Sequence, residues 1–271
     1  MNKIFFALVM TLFSANIFAG NDINLNGARS AGMGFSSVML SDVWSVSNNQ
    51  AGLAFLENPS VGLNYRNSFM VNTLGYQALT MAMPIKNTGA FGLNVSYFGY
   101  SQYNESQVGL AYGKKLSENF SFGLKVNYVQ TKLAEDYGKI GRAVAEAGIL
   151  AKPTENMFVA AHLYNISRTK IADYTNETIP TIFRIGIGYT FSEKVLVTTE
   201  VEKDLKYSPI FKVGIEYQLV EGFFLRTGIS TNPTMNSFGI GYKHKRIVAD
   251  LAFVTHATLG LSSQISINFL F

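Results

Sequence analysis

Nucleophilic catalysis needs a Ser, Thr or Cys side chain beside a base, with a third group to orient that base. This chain of 271 residues supplies few such sets: it has no cysteine and three scattered histidines, His162, His244 and His256. The lack of cysteine removes disulfides, thiolate metal sites and iron–sulfur clusters. His162 has Asn165 and Ser167 near it in sequence, but residues three apart on a strand point to opposite faces. No Gly-x-Ser-x-Gly elbow occurs. We therefore expect no enzyme, no cofactor, no metal and no catalytic residue. Glu200, Glu202 and Asp250 could in principle hold a cation, but inward carboxylates more often pair with bases such as Arg184 or Lys212.

Composition points to architecture rather than to a reaction. Hydrophobic residues make up 48% and charged residues 15% of the chain, with 24 glycines, 21 Phe and 14 Tyr. That charge content is well below the roughly 25% of an ordinary soluble domain. A net charge of +4 is too mild to suggest nucleic acid as a partner. Beyond residue 20 no apolar run reaches the length of a membrane-spanning helix.

From residue 61 onward the chain repeats with period two. Phe122, Leu124, Val126 and Tyr128 share one strand face, opposite Ser121, Gly123, Lys125 and Asn127. Phe183 to Phe191, Phe211 to Leu219 and Phe91 to Tyr97 repeat the pattern. The runs are about ten residues long, which is what a tilted strand needs to cross a bilayer. Tyr97, Tyr112, Tyr128, Tyr189, Tyr217 and Tyr242 close such runs, as in an interfacial aromatic girdle. The last eight residues, Gln264 to Phe271, alternate and end on an aromatic, which resembles the terminal signature of bacterial outer-membrane barrels.

Fourteen strands follow, near 61–67, 75–85, 90–98, 106–115, 121–131, 142–152, 157–166, 182–191, 194–203, 209–218, 222–230, 236–245, 247–256 and 261–271. The Ala-rich runs 142–152 and 157–166 alternate least clearly, and twelve strands result without them. Tight connections at 86–89, 153–156 and 245–246 alternate with longer ones at 132–141 and 167–181, the expected periplasmic and external sides of an all-β transmembrane antiparallel barrel. Such a barrel must close, because lipid offers no partner to an open edge. Its inner face would carry Lys125, Arg184, Glu200, Glu202, Lys212, Glu216, Arg226, Lys243 and Asp250. Mixed signs there imply mutual ion pairs rather than a pore selective for one sign. Inward glycines leave either lumen space or room for another segment. Lys114-Lys115 and Lys243 to Arg246 are solvated turn charges or contacts to lipid and lipopolysaccharide.

Residues 1–19 read as a secretory signal peptide: Lys3 is the basic start, Ile4 to Phe13 the apolar stretch, and Ala19 the residue before the cut. Residues 20–60 do not alternate and form a plug or hatch in this reading, with the barrel at 61–271. Gly27, Gly32 and Gly34, a short helix capped by Asp42, and the apolar Met33, Phe35, Val38, Met39, Leu40 and Trp44 suggest a compact segment buried in a lumen.

The same segment carries a resemblance. Gly27-Ala28-Arg29-x-x-Gly32-Met33-Gly34, then Asp42, then Asn49-x-Ala51-Gly52-Leu53-Ala54 is similar to the N-terminus of the FadL-like outer-membrane superfamily, nearest its branch containing PorV and PorQ of the type IX secretion pathway. Gln50 stands where that family usually has proline. The resemblance implies a fourteen-stranded barrel with an N-terminal hatch in the outer membrane of a Gram-negative-type bacterium. One branch takes small hydrophobic molecules such as fatty acids from outside and releases them sideways or inward past the hatch. The other acts as a docking barrel for secretion-machinery proteins, and a shared fold does not choose between them.

Two functions are therefore expected. The first is passive transport of a small hydrophobic compound, gated near residues 27–54. Asp42 and Asn49 would hold the hatch through bonds to turn backbone, Arg29 would pair with the wall, and Trp44 and Phe35 would form apolar contacts, with Gly32, Gly34 and Gly52 in the hatch motif. The second is a protein-interaction barrel in a secretion or envelope assembly. A continuous apolar pocket beside the plug favours the first, and a sealed lumen the second.

Overall fold

A computed structural model describes residues 24–133, 138–170 and 178–271. The expected signal peptide, and parts of the loops 132–141 and 167–181, lie outside the described residues. Fourteen strands form one closed antiparallel barrel: β1 (Ser60–Asn67), β2 (Gly75–Ile85), β3 (Gly89–Gly99), β4 (Tyr103–Ser117), β5 (Phe120–Leu133), β6 (Lys139–Thr154), β7 (Met157–Tyr164), β8 (Ile182–Phe191), β9 (Val195–Asp204), β10 (Ile210–Val220), β11 (Phe223–Ser230), β12 (Met235–His244), β13 (Ile247–His256) and β14 (Gly260–Leu270). Each strand pairs with its sequence neighbours, and β1 closes on β14 from Ser60↔Leu270 to Asn67↔Ser263. Both Ala-rich runs are strands, so the count is fourteen and not twelve. β6 and β7 pair through Glu146↔Tyr164 to Ala151↔Val159.

Alternation decides which face is which. In β5, Ser121, Gly123, Lys125 and Asn127 are buried while Leu124, Val126 and Tyr128 are exposed. The same inversion of a soluble protein's pattern runs through β3, β8, β10 and β12. The outside is a belt of Leu, Ile, Val and Phe, including Leu110, Val126, Ile185, Phe211 and Ile240. Tyr112, Tyr189, Tyr217 and Tyr242 lie toward the ends of their strands that lead into the tight connections, and Tyr65, Tyr97 and Tyr128 toward the opposite ends. At the first of these rims Phe91 packs against Tyr112 in a tilted arrangement, with ring centroids 5.1 Å apart. Connections at one end have two or three residues, as at 118–119 and 245–246, while those at the other reach seventeen, at 165–181.

The apolar core lies inside the barrel, between its wall and the chain preceding β1. That inner segment contains α1 (Ala28–Gly32), α2 (Ser45–Asn48) and a 3-10 turn, Gln50–Phe55. Val43, Trp44, Val46 and Leu53 pack on the wall alanines Ala82, Ala90 and Ala111. Val38, Met39 and Ala51 pack on Leu150 and Ala160, and Ala28 and Ala31 on Ala252 and Val254. Large residues on one surface meet small ones on the other, Trp44 and Val46 against wall alanines and Ala28 and Ala31 against Val254, and the two surfaces interdigitate. Helices this short have little stability of their own; the enclosing barrel supplies it. No described helix is long and apolar enough to cross a membrane.

Candidate functional site: a segment clamped inside the barrel

Three polar clusters on the wall grip the inner segment, and each begins with a residue whose strand parity turns it inward. In the first, Arg29 of α1 forks onto Glu216 of β10, with Nε donating to Oε2 at 2.8 Å and Nη2 to Oε1 at 2.7 Å. Its Nη1 also reaches Asp42 at 3.3 Å. Arg226 of β11 joins Glu216 to Asp250 through bonds of 2.6 and 2.7 Å. Burial pushes the Asp42 carboxyl above its ordinary range despite Arg29, whereas the two carboxylates raise the Arg29 guanidinium further.

The second cluster centres on Glu200 of β9. Arg184 of β8 holds it through Nε at 2.8 Å and Nη2 at 3.0 Å, while Lys212 of β10 bridges Glu200 and Glu202 at 3.2 and 2.6 Å. Glu200 also accepts the backbone amides of Ser37 and Val38, both at 2.8 Å. Arg184 donates to the carbonyl of Asn48 at 2.8 Å. One wall pair thus satisfies both a bend at 37–38 and the end of α2, backbone groups that would otherwise be orphaned.

The third cluster centres on Glu146 of β6. It accepts Gln50 Nε2 at 2.8 Å and Asn127 Nδ2 at 2.5 Å, contacts His162 Nε2 at 3.0 Å, and lies 3.5 Å from Lys125 Nζ. Gln50, which stands where the resembling family usually has proline, therefore tethers the 3-10 turn to the wall. Asn49 caps that turn, accepting from the Ala51 amide at 3.2 Å, and donates to the carbonyls of Val38 at 2.8 Å and Ile149 at 3.2 Å.

Glycines of the wall and of the segment make the fit close. A methyl group added at Gly123 of β5 would overlap the Gln50 carbonyl carbon, and one at Gly228 of β11 the backbone of Gly34. At Gly62 the indole of Trp44 lies 2.8 Å from where such a methyl would be, and at Gly92 Val46 Cγ2 lies at 2.6 Å. Gly32 faces Gly239 of β12 backbone to backbone. Gly34 has φ 65°, against the chain of β11, so it needs both the left-handed conformation and the missing side chain. Gly52 packs under Leu40 and Ser45 within the segment. Inward glycines therefore serve close packing of the segment at these points, not open lumen.

The structure brings Arg29, Asp42, Glu216 and Arg226 into one cluster and Arg184, Glu200 and Lys212 into another; Lys125 belongs to the third. Trp44 is buried at 1% exposure against Gly27 and Gly62. Asp42 does not cap α2; its Oδ1 accepts the Trp44 amide two residues on, at 2.9 Å, an Asx turn that leads into the helix. Lys243 shares the inward parity of Gly239 and Gly241 but lies past the segment and is exposed. Glu146 and His162 were not among the site candidates. Both belong to the Ala-rich strands, where side-chain size gives no clear alternation, and the signal that could have found them is the lone carboxylate at Glu146, in register with Lys125.

Two cavities flank the segment. One, of about 100 Å³ on the long-loop side, is lined by Tyr76, Glu105, Gln107, Lys125, Arg142 and Tyr164 among others. The other, of about 310 Å³, opens at the tight-turn end beside Met39 and Leu40. The wall between them is hydrogen-bonded from strand to strand all the way round.

No family model matches the sequence, and no curated protein matches it either. Solved structures match the fold. The Ralstonia pickettii toluene transporter TbuX superposes with a TM-score of 0.68 at 13% identity, over 92% of this chain and 100% of that one. The Pseudomonas putida toluene transporter TodX gives 0.68 at 13%, over 92% and 97%, and a Pseudomonas aeruginosa FadL homologue 0.62 at 12%, over 89% and 97%. At such identities the likeness is one of fold: this chain shares the overall fold of these three proteins.

Proposed function

We propose that the chain is an outer-membrane barrel that passes a small hydrophobic compound through its lumen, with residues 20–60 as the hatch. In this reading it is exported by the 1–19 signal, carries no catalytic centre, and stands with its tight turns in the periplasm. The exposed apolar belt with aromatic rims supports the membrane setting. The fold shared with toluene transporters supports transport. The observation that carries the gate is the segment clamped at three separate wall clusters inside a closed barrel. Because strand pairing is continuous, the compound's route runs along the lumen and past the segment, not sideways through the wall. With that orientation Lys114, Lys245 and Arg246 meet inner-leaflet phospholipid, while lipopolysaccharide meets the loop-side bases such as Lys132, Lys139 and Lys203.

The competing reading, a protein-interaction barrel like PorV or PorQ, gains from one feature. The loop-side cavity is small and carries Glu105, Lys125 and Arg142, so it is not a continuous apolar path. Toluene uptake into proteoliposomes separates the two, with Trp44, the sole tryptophan, reporting segment release by a red shift of its emission. Uptake that Asp42→Ala together with Asn49→Ala alters supports the hatch. A barrel that inserts but takes up no toluene, with or without the segment, moves the assignment to the interaction barrel.

A further inference from the structure

The cavity of about 310 Å³ lies between residues 39–41 of the segment and the wall from β6 to β11. Its apolar sides are Met39, Leu40, Phe158, Leu196 and Phe224, and Lys152 stands at its edge. The Lys152 ammonium sits 3.9 Å from the centroid of the Phe55 ring and 5.5 Å from that of Phe158. Lys115 approaches the same Phe55 ring at 4.9 Å. Phe55 belongs to the inner segment, so both lysines lean into the lumen rather than out to lipid headgroups. Among the described residues no carboxylate lies within 4 Å of either ammonium. Of the two acids that line the cavity, Glu216 is already held by Arg29 and Arg226, and Glu193 stands beside Lys194 in the turn between β8 and β9.

We propose that this turn-side vestibule binds a small organic anion with an apolar body, of the arylcarboxylate kind. Two cations gathered about one ring, with no carboxylate in ion-pair contact with either, beside a half-apolar cavity leave an anion-shaped gap. Ring faces attract cations but do not neutralise them, and a carboxylate over Lys152 supplies the missing charge. Its ring then lies against Phe158, Leu196 and Phe224, and the volume fits the lower end of small-ligand sites. The inference goes beyond the transport reading and does not require that the anion cross the barrel.

The test uses the full chain in nanodiscs of zwitterionic lipid, titrated with 1-naphthoate and with the neutral 1-naphthalenemethanol. Saturable naphthoate binding is expected, with the alcohol weaker by about tenfold or more, as for loss of one charge-assisted contact. Lys152→Gln brings naphthoate down to the alcohol's level. Leu196→Glu, which keeps Lys152 but puts an acid in the cavity, weakens naphthoate more than the alcohol. Heat-modifiable migration checks that each variant keeps its barrel. Equal binding of the two probes, or naphthoate binding that neither variant alters, overturns the proposal. Displacement by inorganic phosphate as effective as by naphthoate itself overturns the apolar half of it. Displacement by phosphatidylglycerol added to the nanodiscs overturns the small-anion assignment in favour of a lipid. Toluene uptake measured on the same preparations reads the transport function separately, so uptake can fail while naphthoate binding stands, and the reverse.

Discussion

Burial holds the Asp42 carboxyl above its ordinary range although Arg29 lies 3.3 Å away. A raised folded-state value means that the seated segment prefers the protonated acid, so this group's contribution tightens seating as pH falls toward its range and loosens it as pH rises. The charge is then worth less than the acceptor that binds the Trp44 amide. Asp42→Asn keeps that acceptor and is expected to shift seating by less than about 1 kcal/mol, while Asp42→Ala costs about 1 kcal/mol, the usual worth of a hydrogen bond. Trp44 emission against denaturant at pH 7 measures both, and equal losses refute the argument. Arg184 is the opposite case. It is fully buried and serves Glu200, Asn48 and Ser37 together, so Arg184→Met leaves buried Glu200 with Lys212 as its one base beside the Ser37 and Val38 amides and should cost about 3–5 kcal/mol. Chemical unfolding followed by Trp44 and by barrel migration gives that figure. A loss under about 1 kcal/mol would mean that Lys212 suffices. At this scale the sequence exposed the inward charges, because each alternates with large apolar neighbours. It exposed Arg29 as a partner on the segment but hid those at Ser37, Val38 and Asn48, whose backbone groups carry no residue signature.

Strands were the most legible elements. The expected bounds of β2 at 75–85 and β13 at 247–256 are those observed, because a belt of Leu, Ile and Phe on one face sets both period and length. β6 runs further than its expected 142–152, to Lys139–Thr154; Ala and Gly alternate poorly in size, so its ends left no mark. The inward glycines were ambiguous for a physical reason: an absent side chain looks the same beside empty space as beside another backbone. Gly123 separates the two. Valine favours strands and its branched side chain would not harm the β5 ladder, but it collides with Gln50 and Ala51. Gly123→Val is therefore expected to leave the barrel's heat-modifiable migration intact while Trp44 shifts to the red. Unchanged emission would show that the segment relaxes around the added carbon atoms and that the contact does not hold it.

For the whole molecule, what remains of the lumen without its segment follows from the wall's own pairs. Arg226 still joins Glu216 and Asp250, Lys212 and Arg184 still hold Glu200 and Glu202, and Lys125 still faces Glu146. All are contacts among wall strands, between neighbours or, for Arg226 and Asp250, from β11 across β12 to β13, so a chain lacking residues 20–54 should still close as a barrel, at lower stability because small wall residues such as Ala82 and Ala252 lose their cover. Its pore would be lined by the bases Lys125, Arg184, Lys212 and Arg226 against the acids Glu146, Glu200, Glu202, Glu216 and Asp250. Selectivity for one sign needs a ring of that sign, and here the signs alternate around the wall with one acid in excess. In planar bilayers the intact chain is expected to conduct little. The truncated chain should conduct several-fold more, with a reversal potential in a salt gradient displaced only slightly toward cations. Strong anion selectivity would contradict the observed pairing. High conductance of the intact chain would mean that the segment does not close the barrel, and the gate would then have to be sought among the long loops.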